Sequence, residues 1–168
     1  SFTAYFTYNE GMRTPTSIEL ACADPASPCS LPNDFVADPS LKPVISKTFE
    51  VGARGKVGAH TQWSAAAYST TLDDDIQFIS SNGAASTLGF FQNVGKTRRQ
   101  GFELAGRTQW GPLGVAASYS YVNATYRSTW TESSASNSSA DDDGNITVKS
   151  GDRIPGIPAN TIKVRLDY

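Results

Sequence analysis

The feature that most constrains this chain is the strict alternation of residue types between Gly101 and Trp110. One parity carries apolar and small residues: Phe102, Leu104, Gly106, Thr108 and Trp110. The other parity carries Gly101, Glu103, Ala105, Arg107 and Gln109. Successive side chains of a β-strand point to opposite faces of the sheet, so one face would be apolar and the other charged. The segment from Phe91 to Trp110 is therefore predicted to contain a long strand with two unlike faces.

Several other segments repeat this alternation and carry tyrosine or tryptophan near their ends. The predicted strands are residues 1–8, 46–57, 61–79, 91–110, 115–127 and 159–168. Residues 76–79 and 88–94 are further expected to pair as a hairpin. The repeated pattern is typical of an all-β, antiparallel transmembrane β-barrel. A secreted β-sandwich or lectin-like binding module would also alternate, with its apolar faces packed inward, and stays open as the alternative.

The connections between these strands alternate in length, which favours the barrel. Residues 11–43, 80–90 and 128–150 are long and rich in loop-forming residues, whereas the turns at 58–60 and 111–114 are short. Outer-membrane barrels place long loops outside the cell and short turns in the periplasm. We therefore expect the first strand to run outward. Trp63 and Trp110, beside the short turns, would belong to the periplasmic aromatic girdle, facing outward.

Four segments resemble motifs of one family and occur in the family's order. Asn93–Leu104 (NVGKTRRQGFEL) resembles the N-x-G-x-x-R-x-Q-G-[VF]-E-[LF] motif in the barrel of TonB-dependent outer-membrane receptors. Tyr8–Pro15, Leu41–Gly52 and Gly151–Pro158 are similar to three further motifs of that family. The resemblance implies that residues 1–168 are part of a receptor barrel of about 22 strands with a plugged lumen. The plug and the remaining strands are expected to lie outside this sequence.

The resemblance also implies a function. Receptors of this family import a scarce ligand, such as a ferric siderophore, with energy supplied through TonB. The expected partners are outer-membrane lipid of a Gram-negative bacterium, TonB, and a small-molecule ligand such as a metal chelate. No enzymatic activity and no cofactor are expected. The net charge of −2 and the pI of about 5.3 give no indication of nucleic-acid binding.

Two sets of side chains are candidates for contact with the ligand or with the inside of the barrel. The charged parity of the strands is predicted to form a lumen-facing wall of Glu50, Arg54, Glu103, Arg107, Lys163 and Arg165. Side chains at the borders between strands and long loops are candidate ligand contacts: Arg13, Arg98, Arg99, Tyr126 and Trp130. A guanidinium group suits an anionic ligand. A purely structural role at the rim is the alternative for this second set.

The remaining polar features have simpler interpretations. Cys22 and Cys29 flank turn-forming residues and are predicted to form a local disulfide, with two free thiols as the alternative. Calcium binding by the acidic runs at 73–75 and 141–143 is weighed against solvated acidic loops. His60 lies beside a turn and is expected to be exposed. No metal site is predicted.

Overall fold

The computed structural model describes residues 1–22, 41–80 and 89–168. In these ranges the chain forms ten strands and one short helix. Their bounds are β1 (Phe2–Arg13), α1 (Ser17–Ala21), β2 (Val44–Val57), β3 (Thr61–Asp73), β4 (Ile76–Ser80), β5 (Gly89–Asn93), β6 (Thr97–Trp110), β7 (Leu113–Tyr126), β8 (Trp130–Ser133), β9 (Asn145–Val148) and β10 (Asn160–Asp167). Within the described ranges, no helix combines the length and the apolar character that a membrane crossing requires.

Six long strands form one antiparallel sheet in the order β1-β2-β3-β6-β7-β10. The strands β1 and β10 are its edges, so the sheet does not close on itself. This architecture confirms the predicted antiparallel barrel segment of about six long strands. Two small two-stranded sheets, β4-β5 and β8-β9, lie beyond the end that carries the long connections.

One face of the large sheet is apolar and uncovered. The relative exposure is 68% for Phe6, 57% for Val51 and 72% for Ile162. Cross-strand register places apolar residues of four strands on this same face: Phe49, Val51, Phe102, Leu104, Val115, Ile162 and Val164. No second sheet packs on this face within the described ranges, whereas a β-sandwich would bury it between two sheets. An uncovered apolar face is what a strand wall needs when its solvent is lipid.

Two of the three tryptophans, Trp63 and Trp110, lie beside the short turns on the apolar face, as predicted. Trp63 is near the start of β3 and shares the apolar face, where its ring is 6.1 Å from that of Phe2. Trp110 ends β6 and is 63% exposed. Each residue is close to a short turn, and Gly58 and Gly111 give those turns their positive φ angles of 61° and 57°.

The long segments contain more regular structure than predicted. The strand β1 extends to Arg13, because Gly11–Arg13 pair with Val44–Ser46 before the first proline is reached. The prediction that residues 11–13 belong to a loop is therefore wrong. Helix α1 follows, and residues 23–40 lie outside the described part of the chain. The predicted loop at 128–150 likewise contains the hairpin β8-β9.

Two predicted strands are each divided by a residue with positive φ. The expected strand 61–79 ends at Asp73, because Asp74 adopts φ of 55° and redirects the chain into β4. Gly95, with φ of 81°, similarly separates β5 from β6. The predicted pairing of 76–79 with 88–94 is confirmed, since β4 pairs with β5 from Ile76↔Asn93 to Ser80↔Gly89.

A small hydrophobic core lies at the long-loop end of the sheet. Its buried members are Ile79, Val94, Ala124, Tyr126 and Ile154. Ile79 belongs to the β4-β5 hairpin, and Ala124 and Tyr126 belong to β7. Trp130 and Val148 of the β8-β9 hairpin are partly buried and pack against this core, which thereby attaches the folded loops to the large sheet. Within the described ranges, this core lies at one end of the sheet and covers neither of its broad faces.

Candidate functional site

The face opposite the apolar one carries the predicted lumen wall. Register places Glu50, Arg54, Glu103, Arg107, Lys163 and Arg165 together on it. Two of these side chains are held by neutral partners on adjacent strands. Glu50 Oε1 accepts a 2.8 Å hydrogen bond from the Tyr5 hydroxyl group. Arg107 donates from Nε at 3.1 Å and from Nη2 at 2.8 Å to Gln62 Oε1.

At the long-loop end, this face leads to a buried carboxylate. Asp75 is 5% exposed, and its Oδ2 accepts a 2.7 Å hydrogen bond from Thr97 Oγ1. Arg99 Nη2 lies 3.4 Å from the same oxygen, and Gln77 Nε2 donates to it at 3.3 Å. A buried carboxylate is costly unless it is paired and hydrogen-bonded, so these partners explain how the charge is accommodated.

The local chain path explains why Asp75 is buried. The positive φ of Asp74 turns the backbone, and Asp75 N then donates to Gly95 O at 2.8 Å. In return, Val94 N donates to Asp75 O at 2.8 Å. This reciprocal pair of backbone bonds joins the two breaks that separate the small hairpin from the large sheet. The acidic run is therefore not a uniformly solvated loop, contrary to one of the sequence-based interpretations.

Asp73 and Asp141, from the two acidic runs, also form ion pairs or hydrogen bonds. Asp73 lies 3.0 Å from Lys96 Nζ and 3.9 Å from Lys47 Nζ. Asp141 Oδ1 accepts backbone hydrogen bonds from Asp143 at 3.1 Å and from Asn145 at 2.8 Å. These contacts give the carboxylates roles in strand pairing and in a turn.

The charged face of the sheet is called the inner face from here on. Arg13 ends β1 on this face and is anchored to α1. Its Nη1 lies 2.7 Å from Glu19 Oε2. Thr16 caps the helix, with its hydroxyl group accepting from Glu19 N while Glu19 accepts from Thr16 N. Burial acts to raise the pKa of Glu19, but hydrogen bonds from Arg13 and Thr16 outweigh it and hold the pKa below its usual value. The sequence contains this signal, since Thr16 and Glu19 have capping-box spacing that the sequence-based prediction overlooked.

Tyr126 and Trp130 meet above the wall. Their ring centroids are 5.8 Å apart at 72°, an edge-to-face arrangement. Trp130 packs against the buried core that contains Tyr126, and burial raises the pKa of Glu132 on the same hairpin. Among the described residues, Trp130 Nε1 has no hydrogen-bond partner.

The structure brings together only part of the predicted ligand set. Arg13, Arg99 and Tyr126 share the inner face at the long-loop end. Arg98 falls on the opposite parity, where its register partners are Thr71 and Thr125. Adjacent residues of a strand point to opposite faces, so Arg98 and Arg99 cannot contact one ligand from the same strand face.

Cys22 is buried, and its carbonyl oxygen accepts a 2.6 Å hydrogen bond from Phe91 N. This contact fixes the end of α1 against β5. Cys29 lies outside the described residues, so its pairing with Cys22 stays a prediction. His60 is exposed, as expected, and its carbonyl oxygen accepts from Gln109 N at 3.2 Å.

An uncovered apolar face, a charged opposite face and long connections at one end define a segment of a transmembrane barrel wall. The family model described as TonB dependent receptor-like, beta-barrel matches residues 1–168. The chain belongs to this family. A solved structure titled copper transporter OprC is similar, with a TM-score of 0.57 and 25% sequence identity over 73% of this chain. The match covers 18% of the OprC chain.

Proposed function

We propose that this chain forms part of the wall and mouth of an outer-membrane receptor that imports a scarce small molecule with energy supplied through TonB. The observation that carries the proposal is a family match over residues 1–168 on a sheet with one apolar and one charged face. The apolar face would contact outer-membrane lipid, and the charged face would line the barrel. The long-loop end would then face the outside of the cell. No catalytic step is proposed.

The proposed mouth is formed by inner-face residues that end the long strands. Arg13 forms an ion pair with Glu19, and Arg99 forms one with Asp75. These ion pairs position the guanidinium groups and leave further N–H donors available to an anionic ligand. Trp130, which is only partly buried, would add aromatic surface beside them, whereas Tyr126 is 6% exposed and would support Trp130 from the core rather than contact the ligand. Arg98 is proposed as a contact only for a ligand that reaches over the rim.

The proposed cargo is a metal chelate, with a ferric siderophore as the first candidate. A second candidate is copper, because the similar solved structure is titled a copper transporter. The test is uptake by a bacterial host that expresses the intact receptor and lacks competing receptors. Radiolabelled iron, supplied as siderophore chelates, and radiolabelled copper are compared in cells with and without functional TonB. TonB-dependent accumulation of iron is expected. Accumulation of copper instead would select the second candidate. If the cells accumulated neither metal, the proposed transport of these cargoes would be contradicted.

The neighbouring arginines provide a matched test of the mouth. Arg99→Gln is expected to lower binding of the accepted chelate to whole cells by about tenfold, since one charge-assisted contact is lost. Arg98→Gln removes the same charge one residue away, on the other face, and should change binding less than twofold. Equal effects of the two substitutions would contradict an inner-face ligand site. Surface labelling of the receptor controls for its amount in the membrane.

We further propose that Cys22 and Cys29 form a disulfide in the mature protein. A small local disulfide would limit how far the segment after α1 unfolds when no ligand is bound. Mass spectrometry after alkylation without reductant tests this proposal. The expected result is no alkylation of either cysteine, whereas two alkylated cysteines would contradict it.

A further inference from the structure

The charges on the inner face are sorted along the strand direction. Two successive rows of register partners on this face contain only cations and neutral residues. The row nearer the long loops is Arg54, Ser64, Ala105, Ser118 and Lys163, and the next row is Lys56, Gln62, Arg107, Ala116 and Arg165. Glu103 and Glu50 lie in rows closer to the long loops. We call Arg54, Lys56, Arg107, Lys163 and Arg165 the cationic band.

Most of the cationic band has no ion-pair partner among the described residues. In the described ranges, ion pairs within 4.0 Å involve only one of its members, Arg165, which lies 2.8 Å from Asp167. Both side chains of that pair are largely exposed, at 76% and 54%, so the pair contributes little. Arg107 is bonded to the neutral amide of Gln62 and keeps its full positive charge.

Three members of the cationic band surround a concavity of about 420 Å³. Arg107, Lys163 and Arg165 line it together with small residues that include Ser64, Ala116 and Ser118. The row between the two cationic rows also contributes to the lining, with Trp63, Gly106, Ala117 and Val164. Arg107 and Arg165 are two strands apart, which corresponds to about 10 Å at the usual strand spacing. The volume falls in the range of small-molecule pockets. Small residues leave room above the sheet, while the cations supply N–H donors around it.

From this arrangement we infer that the wall contains an anion-binding site for a small molecule with several carboxylate or phosphate groups. Arg107 would bind one oxyanion with the N–H groups that Gln62 leaves free. Lys163 and Arg165 would neutralise further negative charges, and the hydroxyl groups of Ser64 and Ser118 provide neutral donors. That this site lies on the path of the cargo rests on the proposed function. A site of this kind on that path would select an anionic cargo.

The test is a titration of the intact receptor, purified in detergent, with citrate as the probe. Isothermal titration calorimetry should detect citrate binding that weakens as salt is raised, because charge attraction is screened. The triple variant Arg107→Gln, Lys163→Gln, Arg165→Gln should lose at least tenfold in citrate affinity. A matched variant removes three cations near the long loops: Arg127→Gln, Lys149→Gln and Arg153→Gln. It should retain wild-type affinity.

Two outcomes would overturn the inference. Equal citrate affinity in the intact receptor and in the first triple variant would place the anion site elsewhere. The second is that the intact receptor does not bind citrate. If an Arg107→Glu variant then also unfolds at a lower temperature, the cationic band forms ion pairs with an acidic segment of the receptor and not with a small anion. Mobility of unheated samples on denaturing gels confirms folding of each variant. Failure of metal uptake would leave the citrate result unchanged, so the two proposals are separable.

Discussion

The ring of Tyr5 on β1 lies directly across Gly52 on β2, its partner in the strand register. A Cβ atom added at Gly52 would overlap this ring, whose hydroxyl group donates to Glu50. Tyr68 and Gly101 are also register partners, but a Cβ atom added at Gly101 would first overlap the backbone carbonyl oxygen of Tyr121. A Cβ atom at Gly101 would be 3.1 Å from the Tyr68 hydroxyl oxygen. Glycine at position 52 thus leaves room for the Tyr5 ring on the neighbouring strand.

The substitution Gly52→Ala is expected to destabilise the intact receptor by about 1–3 kcal/mol, because the added methyl group displaces the Tyr5 ring. In the double variant with Tyr5→Ala the overlap is gone, so the two effects should not add. Urea unfolding followed by tryptophan fluorescence measures both quantities. Gly106→Ala is the control, since its Cβ would meet only Gln62 O at 3.8 Å. Strict additivity of the Gly52 and Tyr5 effects would disprove the packing relationship.

Two adjacent alanines test which face contacts lipid. Ala67 is paired with Val51 and Phe102 on the apolar face, whereas Ala66 is paired with Gly52 and Glu103 on the charged face. Arginine on the lipid face near the membrane midplane costs about 2–4 kcal/mol. We therefore expect Ala67→Arg to lower the unfolding free energy in lipid vesicles by that amount and Ala66→Arg to have a much smaller effect. Equal costs would contradict the assignment of faces.

The two faces could be predicted from the sequence because alternation within a strand is a local property. Phe102 and Glu103 fall on opposite faces whatever their neighbours are, and the hairpin at 76–79 and 88–94 follows from similar local patterns. The environment of Asp75 could not be predicted in this way. Its partners Thr97 and Arg99 are 22 and 24 residues away in the chain. They meet Asp75 only because strand pairing and the turn at Asp74 bring them together.

The buried Asp75 carboxylate yields a third prediction. Thr97→Val removes its shortest hydrogen bond without changing side-chain shape much, and a hydrogen bond to a charged group contributes about 1.5–3 kcal/mol. We expect loss of this amount of stability, with faster hydrogen exchange in β4 and β5. Thr61→Val is the control, because it removes a 2.9 Å bond to the neutral hydroxyl of Thr108 at the other end of the sheet.

If Thr61→Val and Thr97→Val cost the same and leave exchange in β4 and β5 unchanged, Asp75 does not hold the hairpin to the sheet. Native-state hydrogen exchange with mass spectrometry gives this readout peptide by peptide.

Opposite pKa shifts at two glutamates predict opposite pH responses of two segments at the long-loop end of the sheet. The pKa of Glu19 is lowered in the folded state, chiefly by Arg13 and Thr16 against the effect of burial. Its contribution is therefore full above the unfolded pKa of about 4.3 and is lost as pH falls through the lower folded value. We expect hydrogen-exchange protection of α1 to decrease at acidic pH. In Glu19→Gln this pH dependence should disappear.

The hairpin β8-β9 should respond in the other direction. Burial raises the pKa of Glu132, so its carboxyl group favours the folded hairpin when protonated. That contribution is present below about pH 4.3 and is lost as pH rises through the raised folded pKa. Protection of the hairpin should therefore be greatest at acidic pH, and Glu132→Gln should keep it high at neutral pH. Since both segments are followed in the same exchange experiment, a general acid loosening would move them together. A decrease in both on acidification would therefore contradict the prediction.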